Sequence, residues 1–270
     1  MTSENLIVAE APGVKITACA RGAHLMTWTT DGVDRLWMSP LSSCGDASAI
    51  RGGVPVLFPQ FGTFGDLGKH GFARIAEWTP VPAGPANSAA RLAFELEDSP
   101  ATRKQWPLSF RARLEIAATP VKLDMKLSVT NRTGELARFT GGLHTYLSVA
   151  DPDAWISGLD GCHAWDGVST RNPRFTHRLG PRVRALDTQD LVIHGVSGPV
   201  VLHDETLGEL AVTAEGFPNR VVWNPGPEHA LPDVAPGGEA GFVCIEPTAV
   251  IPVLLPARGK WEGRQTLTVC

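Results

Sequence analysis

The chain has 270 residues, is 43% hydrophobic and 19% charged, and carries a formal net charge of −4 with a pI near 6.1. That composition can fill the core of a large globular domain. It excludes the broad basic surface that nucleic acid or an anionic membrane would select, so any basic site must be local.

In chain order, the opening MTSENLIVAEAPG has no basic region followed by a long apolar stretch. Nor is there a run of about 18 apolar residues, so no signal peptide or membrane span is expected and the location reads as cytoplasmic. Next comes RGGVPVLFPQFGTFGDLGKHGFAR, Arg51 to Arg74. It holds a short apolar run, VPVLF, that reads as a buried strand bordered by glycines, with Arg51, Lys69, His70 and Arg74 at its edges. Guanidinium forks over an apolar floor suit a carboxylate or phosphate. The same residues also read as surface charges and a satisfied loop histidine.

Period-2 alternation then recurs at Leu92–Leu96, Phe110–Ile116 and Leu123–Val129, the last two joined through Thr119-Pro120 as an antiparallel meander. Further strands are expected at 191–193, 200–203, 210–214, 220–223, 242–246 and 265–269. The Pro80–Ala90 stretch reads as a hairpin tip and Arg171–Arg184 as an exposed loop. With 28 Gly and 22 Pro spread throughout and no repeat, one antiparallel β domain over residues 1–270 is predicted.

Three later segments carry candidate chemistry. In FTGGLHTY, His144 falls late in a strand, with Tyr146 two residues on and therefore on the same face. Gly141 and Gly142 leave room for a ligand or a backbone. In ALDTQDLVIH, Asp187 and Asp190 precede an apolar run, where aspartates are commonly turn formers. In FVCIEPTAV, Glu246 ends an apolar strand before a proline, and a carboxylate there needs a partner or a task. A backbone-bonded core histidine and an edge glutamate remain alternatives. Cysteines 19, 44, 162, 244 and 270 are odd in number and lack CxxC spacing, so neither a disulfide framework nor structural zinc is expected. Cys244 reads as a buried, inert thiol. The histidines lack metal-ligand spacing, and nucleotide-binding and zinc-protease motifs are absent.

In order along the chain, RGGVPVLFPQFG, KHGFAR with Trp78, GLHTYLSVAD, QDLVIH, VVWNP, VCIEP and the closing PVLLPARGKWEGRQTLTV resemble the glucose-6-phosphate 1-epimerase branch of the aldose 1-epimerase superfamily. The resemblance covers nearly the whole chain. It implies an all-β, galactose mutarotase-like antiparallel β-supersandwich with few short helices and an open sugar cleft. His144 and Glu246 fall on its acid–base positions. Asp190 falls on a sugar-binding aspartate, with Asp187 the fallback, and His70 on a ring-holding histidine. Arg51 and Arg74 fall on substrate-binding arginines.

Two positions depart from the pattern: Lys69 stands where relatives commonly have glutamine, and Asp190 is followed by Leu-Val-Ile rather than Arg and an aromatic. The implied activity is anomer interconversion of a hexose 6-phosphate, with Glu246 as base and His144 as acid. No cofactor, metal, nucleic acid or membrane is implied, and a monomer is expected. Trp37, Phe72 or Trp223 would floor the sugar. An aldose 1-epimerase of free sugars and a non-catalytic sugar sensor on the same fold are the competing readings.

Overall fold

The structure is a computed structural model that describes residues 6–45, 48–63, 65–85, 88–166, 176–229 and 231–270. Strands β1 (Leu6–Ala11), β2 (Val14–Cys19), β3 (His24–Thr30) and β4 (Val33–Asp34) form a small antiparallel sheet in sequence order. Next come β5 (Val56–Leu57), β6 (Thr79–Pro80), β7 (Ala90–Glu97), β8 (Phe110–Ala118), β9 (Lys122–Asn131), β10 (Ala137–Leu143) and β11 (Tyr146–Ser148). They are followed by β12 (Trp155–Ser157), β13 (His163–Asp166), β14 (Thr176–Arg178), β15 (Val183–Arg184) and β16 (Gln189–His194). The series ends with β17 (Val200–Asp204), β18 (Gly208–Glu215), β19 (Asn219–Asn224), β20 (Phe242–Leu255) and β21 (Lys260–Val269).

One large sheet runs β15-β12-β17-β18-β21-β9-β8-β7-β6, and the other β14-β13-β16-β19-β20-β10-β5 with β11 also on β20. The expected antiparallel β-supersandwich is present. Alternation explains the packing: β8 buries Phe110, Ala112, Leu114 and Ile116, while Arg111 and the other intervening residues lie further out. These side chains share one core with Leu143, Leu191, Val222, Val243 and Ile245 of the second sheet. The described α-helix, α1 (Pro100–Gln105), starts with Ser99 and Thr102 in a reciprocal cap and Pro100 in its first turn.

Several sequence expectations need correction. Cys19, at the end of β2, forms a disulfide with Cys44; their Cα atoms are 5.7 Å apart and both residues are buried. The partners lie 25 positions apart and share no motif, so nothing in their spacing announced the bond. The segment read as a loop at 171–184 carries β14 and β15, with 171–175 outside the described residues. Its strands are only three and two residues long, too short to show alternation. The Pro80–Ala90 stretch does connect a hairpin, β6 with β7.

Glu246 does not end its strand. β20 continues for 14 residues, through Pro247. The proline is tolerated because the neighbouring strand is interrupted there: β11 pairs with Phe242–Cys244, β10 resumes at Thr248, and His144 and Thr145 lie between. His144 is therefore just beyond β10 rather than within it.

Candidate active site

The site is built on the outward face of the β16-β19-β20 ladder. Asp190 pairs with Trp223, Trp223 with Cys244, and Val221 with Glu246. Residues two apart share a face, so Asp190 and Val192, Val221 and Trp223, and Cys244 and Glu246 point one way. Leu191, Val222 and Ile245 point to the core. The interruption between β10 and β11 adds His144 and Tyr146 to the outward face. Their rings stack at 4.7 Å with 8° between planes, as their two-residue spacing predicts. Gly141 and Gly142 serve backbone packing: a Cβ on either would lie 2.5 Å from the Leu57 carbonyl oxygen or 2.7 Å from that of Pro247.

His144, Asp190, Val192, Val221, Trp223 and Glu246 line a cavity of about 440 Å³ with Arg51, Phe61, Lys69, His70, Arg74, Trp165 and Leu231, a size suited to a small polar ligand; Tyr146 and Cys244 are buried and form no part of its wall. The cavity therefore collects every predicted site residue: Arg51, Lys69, His70, Arg74, His144, Asp190 and Glu246. Asp187 stays outside, exposed and paired with Arg184 at 3.4 Å. Of the proposed aromatic floor only Trp223 is present, joined by Trp165 and Phe61. Phe72 belongs to the core, and Trp37 packs against Phe242 at 4.4 Å. A larger hollow of about 670 Å³ near α1 is lined by Ile75, Val81 and Leu96 with scattered glutamates, and holds no histidine, lysine or arginine.

His144 Nδ1 and Glu246 Oε1 approach to 3.2 Å, with the two side chains 10% and 2% exposed. Nδ1 of His144 faces Oε1 of Glu246, while the other carboxyl oxygen, Oε2, is buried without a hydrogen-bond partner. Burial pushes the Glu246 carboxyl well above its ordinary range, and Asp190 adds to this while Lys69 opposes it. Burial also holds His144 well below the usual imidazole range, helped by His70, Arg51, Arg74 and Lys69. Both directions disfavour charge, so one proton is shared within the pair near neutrality.

His70 adopts a left-handed backbone (φ 69°) that lets its own N–H donate to the Gly62 carbonyl at 2.8 Å. Its Nδ1 accepts the Gly62 N–H at 3.1 Å. Burial, with Arg74 and Lys69 nearby, lowers its pKa to about 3. The ring is therefore neutral, with its proton on Nε2.

Two cations differ in their surroundings. Arg51 donates from Nε to Asp233 at 3.0 Å and from Nη1 to the Tyr146 hydroxyl at 2.7 Å. Burial works against its charge, but Tyr146 and Asp233 more than offset that and hold its pKa up. Arg74 donates to the Lys69 carbonyl at 2.9 Å, and its buried Nε has no partner. Burial lowers its pKa, with Arg51 contributing. Lys69 itself is exposed at the cavity mouth. Asp233 was missed by sequence reading because its context, LPDVAPGG, reads as an ordinary turn.

The aldose 1-epimerase family profile matches residues 5–268. A Salmonella typhimurium protein provisionally named glucose-6-phosphate 1-epimerase is 34% identical over 98% of this chain and 90% of its own length. A Cenchrus ciliaris protein with the same provisional name is 32% identical over 92% of this chain and 79% of its own. A crystal structure of a provisionally named mutarotase from S. typhimurium superposes with a TM-score of 0.88 at 31% identity, covering 99% of this chain and 91% of that one. With the sandwich and its cavity in place, these matches show that the chain belongs to the aldose 1-epimerase family.

Proposed function

We propose that this epimerase interconverts the α and β anomers of a hexose 6-phosphate, glucose 6-phosphate foremost, by opening and reclosing the sugar ring. The buried His144–Glu246 pair at the cavity floor carries this reading. In the forward step Glu246 takes the proton of the C1 hydroxyl while His144 delivers one to the ring oxygen, and the C1–O5 bond breaks. Rotation about C1–C2 presents the other carbonyl face. The ring oxygen then attacks it, returning its proton to His144 as C1–O⁻ regains one from Glu246.

Each group must give and take a proton, which requires closely matched affinities. Burial raises Glu246 and lowers His144, each away from its charged form, so the forward step starts from the form in which the pair's single proton sits on His144. The Nε2–H of His70 and the carboxylate of Asp190 supply a donor and an acceptor for the sugar hydroxyls. Trp223 and Trp165 present apolar faces to the ring. Arg74 and Lys69 meet the phosphate at the mouth, with Arg51 further in. Lys69, departing from the family pattern, adds a full charge there. In this reading the single-domain enzyme works alone, as a monomer in the cytoplasm. Among the described residues no helix is long and apolar enough to cross a membrane.

Exchange NMR on glucose 6-phosphate and glucose tests the reading. Faster exchange of the phosphate ester at equal concentration is expected. Equal rates point to an epimerase of free sugars, and binding without exchange of either sugar points to a sensor.

A further inference from the structure

Among the described residues, Cys244 is the buried free thiol beside the His144–Glu246 pair, and the proposed reaction gives it no task. The alternation of β20 sets it on the same face as Glu246, while its cross-strand partner Tyr146 stacks on His144. One ligand atom from each of His144, Cys244 and Glu246 lies within 4.8 Å of the others. His144 Nδ1 and Glu246 Oε1 are 3.2 Å apart, close to the roughly 3.3 Å expected between two ligands about 2.0 Å from a tetrahedral zinc. Oε2 of Glu246 is buried and unpartnered in a side chain only 2% exposed. Such atoms are uncommon in native interiors and ask for a ligand.

We propose that His144, Cys244 and Glu246 form an imidazole–thiolate–carboxylate site for a zinc-class divalent cation, entered through the sugar cavity and closed to sugar while occupied. Nitrogen, sulfur and oxygen donors in one group suit borderline-soft ions and disfavour magnesium or calcium. Arg51, Arg74 and Lys69 bias the cavity against a dication. The Glu246 carboxylate, a Cys244 thiolate and the nearby Asp190 oppose that bias. Binding releases the thiol proton to solvent. The fourth position, toward the cavity, is left for water, and the ion blocks both proton carriers at once.

The test reads binding directly. The full chain is titrated with Co²⁺ and its near-ultraviolet thiolate-to-cobalt absorption recorded, with Zn²⁺ as competitor. A band displaced by Zn²⁺, absent from C244S and C244A and weakened in E246Q, is expected. Zn²⁺ should also slow anomer exchange competitively with sugar in the wild type, with a half-inhibitory concentration raised at least about tenfold in C244S. Unchanged exchange in metal-free C244S checks that the site is intact, and circular dichroism checks folding. A band that persists in both cysteine variants places the ion on Cys162 or Cys270 and overturns the proposal, as does no band at all. Because the absorption needs no turnover, failure of the mutarotase reading would leave this result standing.

Discussion

Asp233 Oδ2 accepts the Arg51 Nε–H at 3.0 Å across 182 positions of sequence, and so fixes an arginine that lines the sugar cavity. The same Arg51 donates to Tyr146 at 2.7 Å, and the Asp233 carbonyl is tied to Ser39 by that residue's hydroxyl. With two of its edges held, Arg51 has one orientation to offer. Asp233→Asn should keep the backbone tie and weaken this hold. The expected outcome is a KM for hexose 6-phosphate raised about tenfold with kcat nearly unchanged, equivalent to roughly 1.5 kcal/mol of a charge-assisted bond. Steady-state kinetics with both sugars decide it: an equal loss of kcat would count against a purely positioning role.

Glu246→Gln and His144→Ala each remove one of the proposed proton carriers. Positioned acid–base groups typically contribute about 10²–10⁴-fold, so each exchange rate should fall by that order. Glu246→Gln is nearly isosteric and should retain wild-type near-ultraviolet circular dichroism. Near-normal exchange in either variant would refute the assigned roles.

Arg74→Ala should raise KM for the phosphorylated sugar by roughly 10- to 100-fold, since its charge has no carboxylate partner diverting it. The free sugar should be affected far less. Comparing the two KM values in the same preparation is the measurement, and parallel increases would exclude a phosphate contact.

Lys69 lowers the pKa of both Asp190 and Glu246, against the larger upward push of burial. Lys69→Gln removes that restraint, so both should rise further. If Glu246 acts as the base, the acid limb of kcat/KM should move to higher pH in this variant. A limb that stays in place would separate Lys69 from the proton chemistry.

The buried histidines make stability sensitive to acid. His24 is fully enclosed, donates from Nε2 to the Gly52 carbonyl at 2.9 Å, and has its pKa lowered from 6.5 to about 4, chiefly by burial. Because that carbonyl can only accept, Nε2 carries the proton. A depressed folded-state pKa means the unfolded chain takes up the proton first. Its stabilising effect is present above pH 6.5 and is lost as pH falls toward 4, a loss of roughly 3 kcal/mol for this residue. His70 and His144 act in the same direction. Urea unfolding between pH 7 and pH 4 should show a steep decline, and His24→Asn should flatten it by about one proton.

The sequence made the large strands readable because alternation and burial coincide: Leu123, Met125, Leu127 and Val129 of β9 turn inward as their spacing implies. Asp190 and Glu246 reach one cavity because their strands' faces follow by parity, whereas Arg51, Lys69, His70 and Arg74 reach it from outside the strands and Asp187 stays away from it. What stayed hidden was non-local. Asp233 reaches Arg51 through a loop with no periodic signal, and the Cys19–Cys44 bond depends on the path between two sheets. Cys244 was legible as buried and its neighbours were not: the shared face of His144 and Tyr146 follows from their spacing, but the pairing of Tyr146 with Cys244 is non-local. The extension of β20 past Pro247 also defied local rules, for the missing neighbour that tolerates proline lies a hundred residues away in sequence.

That break has a consequence for how the protein acquires its activity. His144, Tyr146, Cys244 and Glu246 are sorted to one face by parity alone, so a slip of one residue between β11 and β20 would turn the reactive groups inward and present Val243 and Ile245 to the cavity. Folding of the ladder and assembly of the site are thus one event. A chain with near-native strand content but shifted pairing would be both inactive and poorly packed, and recovery of anomer exchange during refolding would report correct register with no attached probe.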